Sequence, residues 1–146
     1  MRAHLTRRYW FPASHRLHSE RMSAAENRRT YGKCNNPHGH GHNSTLEVTV
    51  AGPVEAKTGM VCDIVELDGF VESQVLEPFG YSNLNHLEPF RKTVPTTENL
   101  CIEIYNRLES GFRAARVEKV RLEETMLNAF EYAGTNGIRS RGREGR

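Results

Sequence analysis

His40-Gly41-His42-Asn43-Ser44-Thr45-Leu46-Glu47-Val48-Thr49-Val50 changes character halfway along. Leu46, Val48 and Val50 alternate with Thr45, Glu47 and Thr49, the period of a half-buried β-strand. Counting back by twos puts His40, His42 and Ser44 on the Leu46 face. One strand thus presents aliphatic side chains at one end and two imidazoles at the other. Gly52-Pro53 ends it.

The flanking segments supply partners for that strand. Residues 3–17 also read as strand, and Tyr9, Phe11, Ala13, His15 and Leu17 share one parity. Residues 19–38 are a long polar connection with one helical turn expected near Ala24–Arg29. Asp63 can cap a helix reaching Leu76, with Ile64, Leu67, Val71 and Val75 at helical spacing. Pro78 and Gly80 are expected to close it. A second helix follows Pro95-Thr96-Thr97, with Leu100, Ile104 and Leu108 on one stripe and Gly111 as its stop. Residues 116–125 and 128–133 read as strands. The order β-β-α-α-β-β predicts an α+β domain with two helices on one face of an antiparallel sheet.

The 146 residues suit a single domain over 1–133, followed by a disordered basic tail, 134–146. No apolar stretch is long enough to span a membrane, and no signal-like h-region opens the chain. Three cysteines, an odd number, argue for free thiols and a cytoplasmic protein. The net charge of +2 is uneven: residues 1–33 hold eight Lys/Arg against two Glu, residues 34–134 eight against fifteen acidic groups. No basic face with readout side chains is visible, so nucleic acid is not an expected partner. The basic first third suits a small polyanion such as a phosphate ester.

Three side chains point to a metal. His40 and His42 lie two apart on one strand face, and His15 lies on the inward face of another strand. Three imidazoles without a fourth protein ligand describe an open zinc site, although spacing alone does not exclude other divalent ions. His38 makes a second, overlapping His-Gly-His with His40; the His40/His42 pair, joined directly to the strand, is better anchored. Cys34, beside Lys33 and six residues before His40, is a candidate base whose thiolate a nearby cation would favour. Glu124 shares its face with Val120 and Leu122, so an inward carboxylate there needs N–H donors. Thr96, Thr97 and Glu98 open a helix, where capping explains one threonine and a ligand could use the rest.

Taken in order, Phe11-Pro12-Ala13-Ser14-His15-Arg16-Leu17, Gly32-Lys33-Cys34-Asn35-Asn36-Pro37, His40-Gly41-His42-Asn43, Thr58-Gly59-Met60-Val61-Cys62-Asp63, Asn83-Leu84-Asn85, Pro95-Thr96-Thr97-Glu98-Asn99 and Glu124-Thr125 resemble the 6-pyruvoyltetrahydropterin synthase family, over about residues 7–133. The resemblance implies the tunnelling fold (T-fold), a homohexamer of two trimers, and active sites between subunits. It implies Zn2+ on His15, His40 and His42, Cys34 as base, and Glu124 anchoring a pterin ring with Thr96–Glu98 nearby. The implied reaction is that of a lyase of tetrahydrobiopterin biosynthesis: 7,8-dihydroneopterin triphosphate to 6-pyruvoyltetrahydropterin, with release of triphosphate.

Two details bear on that expectation. Five residues separate Cys34 from His40, the pyruvoyl spacing; the 6-carboxytetrahydropterin synthases of queuosine biosynthesis usually have three, which also fits His38-Gly39-His40. The family's Asp-His pair, which works with the cysteine in proton transfer, is Gly80-Tyr81 here. Tyr81 or His86 could replace it. The alternatives are a carboxy-type or side-chain-cleaving dihydropterin enzyme and, in another class, a non-catalytic pterin-binding protein.

Overall fold

The alternating segments at the start of the chain pair with each other along their full length. In the computed structural model, which describes residues 1–135, strand β1 (Arg2–His15) runs antiparallel to β2 (His40–Pro53), from Arg2 opposite Pro53 to His15 opposite His40. β2 pairs on its other side with β4 (Arg116–Thr125), which pairs with β5 (Asn128–Tyr132). Leu46 faces Leu122 and Val48 faces Val120, so the inward parity read from the sequence is kept across strands. The expected basic tail lies, from residue 136 onward, outside the described residues.

Helix α1 (Ala24–Tyr31) occupies the polar connection. Its apolar signal is weak because local hydrogen bonds hold it: Ser23 and Glu26 form a capping box. Asn27, fully buried, receives Ser19 N–H and donates to the carbonyls of Ser19, Met22 and Ser23.

Helix α2 (Ile64–Val71), capped by Asp63 at Val65 N–H, passes into a π-turn at Glu72–Leu76 and a short turn, α3 (Glu77–Phe79). Pro78 therefore lies inside the helical path rather than ending it. Proline has no N–H for the carbonyl four residues earlier. That carbonyl, on Gln74, instead receives Arg107 Nη1 at 3.3 Å. Helix α4 (Thr97–Gly111) is capped by Thr96. Leu67, Val71, Val75 and Phe79 pack with Leu100, Ile104 and Leu108 against Phe11, Leu46, Val48, Val50, Val120 and Leu122. Both helices thus cover one face of the sheet, as expected.

The sheet itself departs from expectation at one edge. Ser82–Asn83 forms a fifth strand, β3, parallel to β1 at Ala13 and Ser14, giving the order β3-β1-β2-β4-β5. A two-residue strand carries no periodic signal. No described helix is long and apolar enough to cross a membrane.

Candidate metal centre and catalytic cleft

β1 and β2 position three imidazoles through register alone. His15 pairs with His40, and Ala13 with His42, so all three rings emerge on the inward face at one end of the sheet. Their ring centroids are 4.6, 4.8 and 5.2 Å apart with steep interplanar angles. One ligand atom from each lies within 4.8 Å of the others. His38, by contrast, is exposed.

The donor set fits a metal ion. His15 is 5% exposed, and its Nδ1 meets Pro95 O at 2.8 Å, which leaves Nε2 as the lone-pair nitrogen. That Nε2 and His42 Nε2 are buried without a hydrogen-bond partner. An orphaned buried nitrogen is costly unless something outside the chain completes it. Burial, then the neighbouring imidazoles, hold His40 below the usual histidine range. Burial also lowers His42, with Glu124 opposing and His15 reinforcing. Neutral rings are the form that binds metals.

Glu124 reaches the same cluster. The β4–β5 register shifts between Glu123 and Thr125, and such a bulge redirects a side chain. Glu124 Oε1 lies 3.4 Å from His15 Nε2 and 3.3 Å from His42 Nε2. Neither approach has hydrogen-bond geometry, and each becomes a charge contact only when its imidazole is protonated. Contact with His15 dominates over burial, and with His42 and Thr97 holds the Glu124 carboxyl down to about 2. It is therefore ionised and accepts only. Buried Thr97 lines the small cavity shared by His15, His42 and Glu124.

Cys34 lies in a cleft of about 770 Å³, on the other side of His42, together with His40, Arg16, Arg28 and Lys33. Burial, reinforced by the Glu124 charge, pushes the Cys34 thiol up. The lowering expected from Lys33 is not seen, because desolvation and the Glu124 charge both act in the opposite direction. Cys62 and Cys101 are buried and free, as expected of core thiols.

Other candidate positions lie apart from this cleft. Tyr81 is 87% exposed and lines a separate recess with Ser14, Asn43 and His42. Its φ of 56° is held by its N–H, which donates to Pro12 O at 2.6 Å. His86 is exposed. Thr96 Oγ1 accepts Asn99 N–H as a helix cap, and Glu98 is exposed on α4. Spacing and periodicity assign no role to the Pro95 carbonyl or Asn85, both of which act on the chain around His15. Asn83-Leu84-Asn85 is visible as a motif, but its contacts are formed only by tertiary pairing.

Three convergent imidazoles beside a thiol-bearing cleft, on an α+β sheet, define a metal-dependent enzyme site for a small molecule. The family described as 6-pyruvoyl tetrahydropterin synthase matches residues 4–135. A 6-pyruvoyl tetrahydrobiopterin synthase of Drosophila melanogaster is 43% identical over 141 residues, covering 93% of this chain and 84% of the relative. The Homo sapiens protein of the same name is 40% identical over 133 residues, 90% of this chain and 92% of the relative. The solved structure of Caenorhabditis elegans 6-pyruvoyl tetrahydropterin synthase superposes with a TM-score of 0.88 at 41% identity, covering 92% of this chain and 97% of that one. The chain belongs to the 6-pyruvoyl tetrahydropterin synthase family, and its fold is the T-fold of that family.

Proposed function

We propose that this protein converts 7,8-dihydroneopterin triphosphate to 6-pyruvoyltetrahydropterin and triphosphate. The observation that carries this reading is the His15–His40–His42 cluster, with two orphaned Nε2 atoms, beside the Cys34 cleft in a member of this family. Zn2+ held by the three histidines would supply a Lewis acid for the substrate's side-chain oxygens.

The chain's own residues take the remaining roles. Ionised Glu124 accepts N–H donors from the pterin ring edge and fixes its position. Cys34 removes a side-chain proton, which requires that a cation in the cleft offset the burial that keeps the thiol protonated. Arg16, Arg28 and Lys33 meet the triphosphate as it leaves. Elimination and tautomerisation oxidise the side-chain carbons while the ring is reduced, so no external oxidant is consumed. Within one chain Tyr81 and His86 face outward. We therefore place any proton transfer by them in a neighbouring copy's cleft, within a homohexamer of two trimers. Free cysteines suit a cytoplasmic setting.

Gly80-Tyr81 in place of Asp-His favours one second reading, a 6-carboxy or side-chain-cleaved product from the same site. Incubation of the zinc-loaded protein with the triphosphate substrate, followed by mass spectrometry, separates the two. Triphosphate with a 6-pyruvoyl product is expected. A 6-carboxy or shortened product moves the protein to the second reading. Bound but unchanged substrate makes it a pterin-binding protein.

A further inference from the structure

β1 loses its antiparallel partner just where it matters most for the cluster, because the β1–β2 ladder ends at His15 opposite His40. One residue on, the Asn85 carboxamide takes the place of a strand. Its Oδ1 accepts Arg16 N–H at 2.7 Å, and its Nδ2 donates to Arg16 O at 2.9 Å. Two bonds from one planar group to both backbone groups of one residue imitate a β-bridge. They extend the β1–β3 pairing that ends at Ser14 and Asn83. Asn83 Oδ1 in turn accepts Asn85 N–H at 3.1 Å.

The next residue is held from the thiol side. Leu17 N–H donates to Cys34 O at 2.9 Å, and Asn35 Nδ2 donates to Leu17 O at 2.7 Å. Arg16–Leu17 is thus a two-residue strap between His15 and the Cys34 loop, with all four backbone groups paired. From another direction Gly39, at φ +71°, comes so close that a Cβ there would lie 2.9 Å from His15 O. The His15 ring itself is tied at Nδ1 to Pro95 O.

We propose that Asn85 is a positioning residue for the metal centre: by clamping the Arg16 backbone it sets the direction from which His15 Nε2 enters the cluster. This rests on the reading of His15, His40 and His42 as metal ligands. A ligand pointed a few tenths of an ångström astray weakens a metal site even when the ligand is intact.

The test compares wild type with Asn85→Leu, which removes both bonds at similar volume, and Asn85→Asp, which keeps an acceptor for Arg16 N–H. Zinc affinity is measured by competition with a chelating dye. Cobalt(II) absorption bands report ligand geometry, and thermal unfolding of the chelator-treated protein reports the fold. Asn85→Leu should bind zinc ~10–100-fold more weakly and shift the cobalt bands, with Asn85→Asp recovering most of the affinity. Wild-type affinity and an unchanged cobalt spectrum in Asn85→Leu would overturn the proposal. So would failure of both Asn85→Leu and Asn85→Asp to fold without metal, since Asn85 would then hold the domain rather than the site. A wild type that binds no zinc overturns the ligand reading itself, and the proposal with it.

Discussion

At one end of the sheet's inward face Leu5 stands opposite Val50, with Val48 beside Val120; at the other, His15 stands opposite His40 with Glu124 close by. The same strands and the same alternation serve both ends. At the aliphatic end the inward side chains are packed or, like Arg7 and Tyr9, hydrogen-bonded to Asp68. At the histidine end two buried nitrogens have no partner, and an ionised carboxylate lies against them. A core that tolerates orphaned polar atoms where apolar side chains would fit gives up stability for function.

Substituting one inward residue from each end should separate the two roles. His42→Ala should reduce zinc from about one ion per chain to a small fraction and abolish turnover, because an open site has only three protein ligands. Leu46→Ala, four residues along the same strand and fully buried, should cost about 2–5 kcal/mol of stability while the folded protein keeps its zinc. Metal analysis and thermal unfolding of both variants check this. Full zinc content in His42→Ala would break the division between the two ends.

The Cys34 cleft sharpens it further. Cys34→Ala should lose ~10²–10⁴ in turnover with zinc retained, the usual size of a general-base effect. Because burial and Glu124 raise the thiol, iodoacetamide labelling of Cys34 should increase as pH rises through and beyond the usual thiol range. Cys101, buried and pushed up to about 12, should label last. Peptide mass spectrometry after timed labelling gives the order, and Cys101 reacting before Cys34 would contradict the placement of the two thiols.

Glu124 also makes the histidine end sensitive to acid. Its carboxyl is held at about 2 against an ordinary 4.5, so the folded state binds this proton less readily than the unfolded chain. The stability it contributes is present above about 4.5 and lost as pH falls towards about 2. Denaturant melts at pH 5 and pH 3 should show a smaller acid loss in Glu124→Gln than in wild type. The same variant should raise KM for the pterin, since a neutral amide replaces the acceptor-only carboxylate. Equal acid sensitivity would place the carboxylate's partners elsewhere.

How legible each end was depends on what holds it. The aliphatic end could be read from Leu46, Val48 and Val50 because alternation is a local property of the chain. His15 and His42 could be read too, since parity survives as long as a strand has no bulge. Alternation places Glu124 on the inward face, but the bulge beside two imidazoles belongs to the β4–β5 pairing, which no local spacing reports. The Gln74 carbonyl that Pro78 leaves without an N–H is met by Arg107 from another helix, a contact no local spacing reports. Asn85 and the Pro95 carbonyl act on a strand about seventy and eighty residues away in sequence. Tyr81, read as a relay candidate, faces outward because its backbone is turned by a bond to Pro12.

Thr96 and Thr97 offer the finest test, since adjacent residues fall on opposite sides of the division. Thr96 uses its hydroxyl to cap α4, whereas Thr97 is buried against His15, His42 and Glu124. Thr96→Ala should therefore cost about 1 kcal/mol, a fall of ~2–4 °C in Tm, with KM unchanged. Thr97→Val, nearly isosteric, should leave Tm close to wild type and raise KM, because it removes a hydroxyl beside the carboxylate that holds the ring. If Thr96→Ala instead raises KM at constant Tm, the start of α4 binds substrate through Thr96, and the boundary of the site moves one residue towards the Pro95 carbonyl that holds His15.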